Sequence, residues 1–173
     1  MSDERTLTAL VQQVAARLLA MRGALVTAES CTGGWVGKAC TDLPGSSQWF
    51  RGGAIVYDND LKTHLVGVRP VTLERHGAVS EATVLEMARG ALESLGGTIS
   101  VAVSGVAGPD GGTPQKPVGT IWFGWALYRG EALEVTAEHH VLPGDRDDIR
   151  REAVALALRG VLRRSVTARG PTA

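Results

Sequence analysis

Hydroxyl, phenol and amine groups lie within one short stretch, residues 45–62, which reads GSSQWFRGGAIVYDNDLK. Ser46 and Ser47 stand in a glycine-led turn, and Tyr57 and Lys62 come after an apolar run. A serine attacks a carbonyl carbon only when a base takes its proton, and a neutral, desolvated lysine can be that base. The stretch therefore permits serine nucleophilic catalysis with a lysine base. The spacing alone is also compatible with a plain turn and a solvated lysine.

A first glycine-bearing loop, TAESCTGG at residues 27–34, follows an apolar run that reads as a buried strand. Ser30 or Thr32 could cap the next helix while the amides of Gly33 and Gly34 face an anion, because helix N-termini attract negative charge. An ordinary capped turn with glycines for close packing explains the same residues equally well. Both interpretations stay open at this point.

A second loop, SGVAGPDGG at residues 104–112, contains four glycines and one proline. This glycine density favours a ligand-binding loop, since glycine permits close backbone approach and positive φ angles. Neither loop has the G-x-x-x-x-G-K-[ST] pattern that holds triphosphates. A monophosphate group fits these loops better.

Two cysteines, Cys31 and Cys40, are present without a zinc-type spacing. The sequence therefore predicts reduced thiols in a cytoplasmic protein that holds no metal and needs no other cofactor. Cys31 beside a helix N-terminus could become a thiolate nucleophile, although packing is the commoner role of a lone cysteine at a strand end. The acidic clusters at residues 58–60 and 145–148 are better explained as helix caps and first-turn acids than as metal ligands.

The charge balance limits the possible partners. The chain has 173 residues with 18 basic and 18 acidic side chains, so its formal net charge is zero. Nucleic acids and anionic membranes attract proteins mainly through excess basic charge, and no apolar run approaches the roughly 18 residues of a membrane helix. We therefore expect a soluble protein without an export signal, a nucleic-acid partner or a membrane partner. Loops and a few side chains would hold any anionic ligand.

Alternating helix and strand patterns predict the elements that must position these groups. Apolar residues at helical spacing predict an opening helix over residues 6–21, and a final helix at 145–166 has acids first and arginines last. The other predicted elements are strands at 23–29, 52–58 and 98–105, a hairpin that turns at Arg129 and Gly130, and helices after Gly34, after Asp58 or Asp60, and after Ser80.

This order of elements predicts an α/β layered sheet in which the late hairpin makes at least one strand antiparallel. The length fits a single domain, which we place at residues 1–166. The tail at residues 167–173 reads as disordered.

The sequence as a whole resembles the CinA C-terminal domain family of nicotinamide-nucleotide amidases, also called PncC. The combination of AESCTGG, GSS, GAVSE and SGxAGPDGG carries the likeness, which runs from about Leu7 to about Leu162. The resemblance implies hydrolysis of nicotinamide mononucleotide to nicotinate mononucleotide and ammonia, in pyridine nucleotide recycling. It also implies a three-layer α/β/α fold with a mixed, mostly parallel sheet, associated as a homodimer or higher homo-oligomer.

Many relatives also carry a molybdopterin-binding-like domain before this one. Because the sequence starts at its own Met1, we expect any activity of that domain to be absent.

The resemblance also implies roles for individual residues. Ser47 of GSS matches the catalytic serine and Lys62 its base, supported by Tyr57. Substrate-binding roles fall on Ser30, Thr32, Gly33, Ser104, Gly105, Gly108 and Arg146. A glycine loop and one arginine suffice to neutralise a single phosphate, which agrees with a mononucleotide substrate and with the zero net charge.

An extended strand between the two catalytic residues creates a geometric problem. At roughly 3.3 Å per residue it separates Ser47 from Lys62 by about 20 Å or more. Three arrangements resolve this: the segment around Ser47 folds back over the strand, a two-fold partner supplies Ser47, or Ser30 is the nucleophile. We favour the first two arrangements because they keep Ser47, the serine that the resemblance implies, as the nucleophile. The third remains an alternative.

Two other functions remain open from the residues. One is an amidase that uses Cys31 instead of a serine. The other is a non-catalytic module that senses nucleotides or takes part in competence- or DNA-damage-associated interactions.

Overall fold

A single five-stranded sheet forms the centre of the protein in the computed structural model, which describes residues 2–165. The strands lie in the order β2-β1-β3-β4-β5. Their bounds are Leu25–Glu29 for β1, Phe50–Ile55 for β2, Ile99–Gly105 for β3, Thr120–Arg129 for β4 and Ala132–Val141 for β5. β1 pairs in parallel with β2 and β3, whereas β4 pairs antiparallel with β3 and with β5. The predicted mixed sheet with a late hairpin is confirmed.

Six α-helices within residues 2–165 lie on the two faces of the sheet. They are α1 Glu4–Met21, α2 Trp35–Thr41, α3 Asn59–Val66, α4 Pro70–His76, α5 Glu81–Leu95 and α6 Arg146–Arg164. One apolar core lies between the sheet and helices α1, α2 and α6, and a second lies between the sheet and helices α3 and α5. The three-layer α/β/α fold is therefore confirmed.

Helix starts follow the capping residues of the sequence in several places. Ser80 accepts from the amide of Thr83, and Asp58 accepts from the amide of Asp60. Asp145 starts α6 with a reciprocal capping box to Asp148. These side chains satisfy amides that a helix leaves unpaired at its first turn, so the helices begin where their caps predict.

One strand and one helix depart most from the expectation. The second strand begins at Phe50 and ends at Ile55, earlier than the predicted 52–58, because Asp58 already caps α3. Helix α4, Pro70–His76, was not predicted; it is short and starts at a proline in the first helical position. The predicted disordered tail at 167–173, with the last residue of the predicted domain, lies outside the described residues.

Candidate active site

The carboxyl ends of β2, β1 and β3 meet at one end of the sheet. In sheets with this strand order, ligands bind in the crevice beyond these ends, at the switch point between β1 and β3. The first glycine loop, residues 30–34, follows β1 at this end, and the segment from Tyr57 to Lys62 follows β2.

Lys62 lies on α3 with only 1% of its surface exposed. Its Nζ donates a hydrogen bond to the backbone carbonyl of Tyr57 at 2.8 Å. Burial lowers the pKa of Lys62 below its ordinary value, and the negative charge of Asp58 only partly opposes this shift. The amine is thus shifted toward the neutral form that a general base requires.

Ser30 and Ser104 line the same face of the sheet as Lys62. Ser30 donates its amide to the carbonyl of Val103 at 2.9 Å, which extends the parallel register of β1 and β3 by one residue. The two serines therefore face each other on neighbouring strands, about 5 Å apart. The hydroxyl of Ser104 donates to the carbonyl of Ala78. The hydroxyl of Ser30 has no hydrogen-bond partner within residues 2–165.

Thr120, at the start of β4, adds a third hydroxyl to this edge. It is 2% exposed, and its Oγ1 is the one fully buried side-chain polar atom within residues 2–165 that lacks a hydrogen-bond partner. Side chains alternate along a strand, so Thr120 lies on the same face of the sheet as Trp122. Trp122 pairs with Ser104 across β3 and β4, which places Ser104 on that face too. A buried hydroxyl without a partner is costly, so Thr120 is a candidate for contact with a ligand. No sequence motif pointed to it.

The anion at the start of α2 is the protein's own Glu29. Its buried carboxylate accepts from the amides of Val36 and Gly37 at 3.0 and 2.8 Å, and from the hydroxyl of Thr32 at 2.8 Å. The prediction that Ser30 or Thr32 caps this helix is therefore wrong. The carboxylate one residue before Ser30 reaches the amides first, because the chain turns back at Gly34. These amides are not available to a phosphate.

Two arginines of α6 hold the two glycine loops in place. Arg146 donates to the carbonyl of Gly108 at 2.6 Å, and Arg150, one helical turn later, donates to the carbonyls of Cys31 and Thr32 at 3.1 and 3.0 Å. Arg146 remains exposed, so further guanidinium donors can reach an anion. Arg150 was not predicted from the sequence, since a helical arginine carries no local signal of a distant carbonyl.

Glycines of these loops serve close packing as well as turns. Gly33 has φ of 62°, a value that side-chain-bearing residues rarely adopt. At Gly105, an added Cβ would lie 2.6 Å from the carbonyl of Thr120. The fold therefore requires glycine at both positions whether or not a ligand binds there.

Ser47 lies on the other side of the molecule from Lys62. It is exposed in a short 3-10 helix, Ser46–Gln48, that precedes β2 at its amino end. Six residues of β2 then lead to the carboxyl edge, a span of about 20 Å. Within one chain the segment does not fold back over the strand, so Ser47 does not contact Lys62.

Tyr57 is 63% exposed, and its phenol has no hydrogen-bond partner within the described range. Its contact with Lys62 runs through the backbone carbonyl instead.

Cys31 is a poor candidate nucleophile. It is 6% exposed, and burial raises the pKa of its thiol to about 12. The thiolate is the nucleophilic form, and it is scarce at neutral pH under these conditions. The geometry therefore favours a packing role for Cys31.

No group of three or more histidine, cysteine, aspartate or glutamate side chains in residues 2–165 is arranged to hold a metal ion. In the same range, none of the helices combines the length and apolar character needed to span a bilayer.

Comparison with known proteins gives consistent matches over nearly the whole chain. The model of the CinA C-terminal domain family matches residues 7–165. The nicotinamide-nucleotide amidohydrolase PncC of Escherichia coli is 50% identical over 149 residues, which make up 86% of this chain and 88% of that protein. A CinA-like protein of Chlorobaculum tepidum is 48% identical over 154 residues, which make up 88% of this chain and 36% of that longer protein.

Solved structures agree with the sequence matches. The crystal structure of the competence/damage inducible protein CihA from Agrobacterium tumefaciens superposes with a TM-score of 0.87 at 34% identity, covering 91% of this chain and 94% of that one.

Proposed function

Since this chain belongs to the CinA C-terminal domain family, we propose that it hydrolyses the carboxamide of nicotinamide mononucleotide at the crevice beyond the carboxyl ends of β1, β2 and β3. The products are nicotinate mononucleotide and ammonia. The family predicted from the motifs is confirmed, and the amidohydrolase from Escherichia coli supports the reaction. The observation that carries the proposal is the buried amine of Lys62 at this crevice, with its pKa lowered by burial.

The proposed reaction is acyl transfer through a serine. Neutral Lys62 takes the proton of the serine hydroxyl, and the oxygen attacks the carboxamide carbon. The lysine then gives its proton to the departing nitrogen, and ammonia leaves an ester on the serine. Water, deprotonated by the same amine, attacks this ester and restores the serine while the carboxylate product departs.

Substrate contacts in this proposal follow the loops at the carboxyl edge. Arg146 binds the phosphate through guanidinium donors that Gly108 leaves unused. The backbone of the two glycine loops contacts the rest of the substrate in this proposal, at Thr32, Gly33, Gly105 and Gly108. The hydroxyl groups of Ser30 and Ser104 orient the carboxamide in this proposal, because both lie at the same end of the sheet as Lys62.

Ser47 is the proposed nucleophile, as the family's motif implies, and Tyr57 borders the site. Ser47 precedes β2 and Lys62 follows it, so the two residues lie at opposite ends of this strand within one chain. This assignment therefore requires a second copy of the chain. A homodimer is therefore part of the proposal.

Ser30 is a second candidate nucleophile. Two observations favour it: its hydroxyl has no partner within residues 2–165, and it shares a sheet face with Lys62 in the same chain.

We assign the reaction to the cytoplasm, because both cysteines are free thiols and such thiols persist in reducing compartments. The mononucleotide is the only partner that the reaction requires besides a second copy of the chain.

An ammonia-release assay with nicotinamide mononucleotide tests these assignments. We expect the wild-type protein to be active and Lys62→Ala to be inactive while still binding the mononucleotide in calorimetry. Lys38→Ala is the matched control, since Lys38 is an exposed lysine paired only with Asp42. Full activity of Lys62→Ala would rule out the lysine base.

Serine variants separate the two nucleophiles in the same assay. We expect Ser47→Ala to abolish turnover and Ser30→Ala to reduce it. The reverse pattern would make Ser30 the nucleophile. Saturable binding by the wild-type protein without any ammonia would instead support the nucleotide-sensing module.

A further inference from the structure

The hydroxyl group of Thr120, the first residue of β4, is buried and makes no hydrogen bond within residues 2–165. The side chain is 2% exposed. Folding therefore removes this hydroxyl from water without giving it a partner, which lowers the stability of the protein. Such a group is explained if a ligand provides the partner.

Other buried hydroxyl groups between the sheet and α5 are hydrogen-bonded. Ser100 of β3 donates to the carbonyl of Ala88 at 2.6 Å. Thr83 of α5, which is completely buried, donates to the carbonyl of Gly77 at 2.8 Å. The unpaired hydroxyl of Thr120 is therefore not a general feature of this layer.

Thr120 lies beside the loop that the proposed phosphate-binding arginine contacts. Its carbonyl accepts from the amide of Val106, the residue directly after β3, at 2.9 Å. Two residues later in the same loop, the carbonyl of Gly108 accepts from Arg146 at 2.6 Å. Thr120 and Arg146 therefore lie at the same end of the sheet, next to one loop.

Strand order relates Thr120 to the reacting end of the proposed site. Ser30 follows β1, Thr120 begins β4, and only β3 lies between these two strands. Two strand spacings amount to about 10 Å. Nicotinamide mononucleotide is an extended molecule with its carboxamide at one end and its phosphate at the other. With the carboxamide between Ser30 and Lys62, the phosphate reaches the start of β4.

Two segments meet over this end of the sheet. Lys116, in the loop before β4, donates from Nζ to the carbonyl of His76 at 3.0 Å. The hydroxyl of Ser104 donates to the carbonyl of Ala78 at 2.8 Å. Because the first of these bonds comes from a half-buried lysine, the two segments can separate when a ligand enters.

We propose that the hydroxyl of Thr120 donates a hydrogen bond to the phosphate of the substrate, and that this bond makes the protein select nucleotides over nucleosides. This inference rests on the proposed function for the identity of the substrate. A phosphate oxygen suits the hydroxyl because hydrogen bonds to charged acceptors are stronger than those between neutral groups. Thr120 then acts together with Arg146, which supplies the positive charge.

Turnover of two substrates tests this selectivity. We expect Thr120→Val, which removes the hydroxyl and keeps the shape of the side chain, to lower kcat/KM for nicotinamide mononucleotide by about tenfold or more. The value for nicotinamide riboside, which has no phosphate, should stay unchanged. An equal loss with both substrates, or no loss with the mononucleotide, would overturn the proposal.

Binding of ribose 5-phosphate separates this inference from the proposed function, because binding requires no catalysis. We expect ribose 5-phosphate to raise the melting temperature of the wild type and Thr120→Val to lose most of this shift. Ribose is the control ligand and should shift neither protein.

No shift in the wild type, or an equal shift in both proteins, would overturn the role of Thr120 even if ammonia release is confirmed. A shift that depends on Thr120 without any ammonia release would overturn the proposed function alone.

The melting temperature without ligand gives a second readout, which a structural role would reverse. Because the hydroxyl has no partner, we expect Thr120→Val to raise the melting temperature by about 3 °C. Thr83→Val is the matched control, since it removes a bond to Gly77 and should lower the melting temperature by about 3 °C. A similar fall in Thr120→Val would show that the hydroxyl has a partner inside the protein, such as a buried water, and would overturn the proposal.

Discussion

A single buried amine sets the chemistry at the scale of residues. Lys62 is almost fully enclosed, yet its one hydrogen bond within residues 2–165 goes to a backbone carbonyl rather than to a carboxylate. An enclosed lysine without an ion-pair partner is costly in its charged form. The fold therefore favours the neutral amine, which is the reactive form of a base.

The pH dependence of turnover follows from this shift. We expect kcat/KM to rise with pH through the lowered pKa of Lys62 and to level off below pH 10.5, the ordinary lysine value. Initial rates of ammonia release measure the profile. A value of kcat/KM that shows no rise with pH anywhere below pH 10.5 would contradict the role of Lys62.

Stability depends on pH through the same group. Between the lowered pKa and 10.5 the unfolded chain binds the proton that the folded chain has lost, so stability rises as the pH rises through this window. Denaturant titrations should show this rise in the wild type and a smaller one in Lys62→Met. Lys38→Met, at an exposed lysine, should behave as the wild type.

Arg146 tests the phosphate contact. We expect Arg146→Gln to raise KM about tenfold or more with a smaller change in kcat, because a phosphate is bound equally in the ground and transition states. Steady-state kinetics measure both constants. Arg151→Gln on the next turn of α6 is the control, since Arg151 already pairs with Asp147. A loss confined to kcat would place Arg146 at the reacting carbon instead.

At the scale of elements, one carboxylate joins strand β1 to helix α2. Glu29 accepts from two amides of α2 and from the hydroxyl of Thr32 while 1% exposed. We expect Glu29→Gln to lower the free energy of unfolding by about 3 kcal/mol, since the amide nitrogen of glutamine would face an amide donor. Urea denaturation measures the change.

The control for Glu29→Gln is Glu93→Gln on the exposed face of α5, which should leave stability within about 0.5 kcal/mol. A Glu29→Gln protein as stable as the wild type would mean that the carboxylate does not cap α2.

Helix α3, which carries Lys62, depends on its close contact with α5. At Gly90 of α5 an added Cβ would lie within bonding distance of the carbonyl of Val66. Alanine favours a helix over glycine by about 1 kcal/mol, but the clash forces α3 to move. We therefore expect Gly90→Ala to lower stability by about 2 kcal/mol and to reduce kcat by displacing Lys62. Ser94→Ala, exposed on the same helix, should be neutral or stabilising.

Most elements of the fold were predictable because their signals are local. Apolar periodicity and the caps Asp58, Ser80 and Asp145 are contained within a few consecutive residues. Short helix α4 was missed because its seven residues are too few for a clear periodic pattern. The cap of α2 was misassigned because serine and threonine are the commoner capping residues, whereas glutamate reached the amides from the preceding strand.

At the scale of the whole molecule, contacts between distant parts of the chain were the hardest feature to predict from the sequence. Ser30, Ser104 and Lys62, to which the resemblance assigns roles, lie at the carboxyl ends of the first three strands. Arg150 and Thr120 were missed, since their roles depend on contacts with distant parts of the chain. Ser47 lies before the amino end of β2. Its proposed role requires a second subunit, and no pattern in the sequence shows how two subunits contact each other.

A site built from two chains makes activity depend on protein concentration. Below the dissociation constant of the dimer, subunits separate and every site loses its serine, so specific activity should fall as the protein is diluted. At the dilution where half of the chains are monomeric, half of the activity per chain should remain. The test measures ammonia release over a dilution series and follows the dimer fraction by sedimentation. Specific activity and dimer fraction should fall together. Specific activity that stays constant while the dimer dissociates would place the whole reaction within one chain, with Ser30 as the candidate nucleophile.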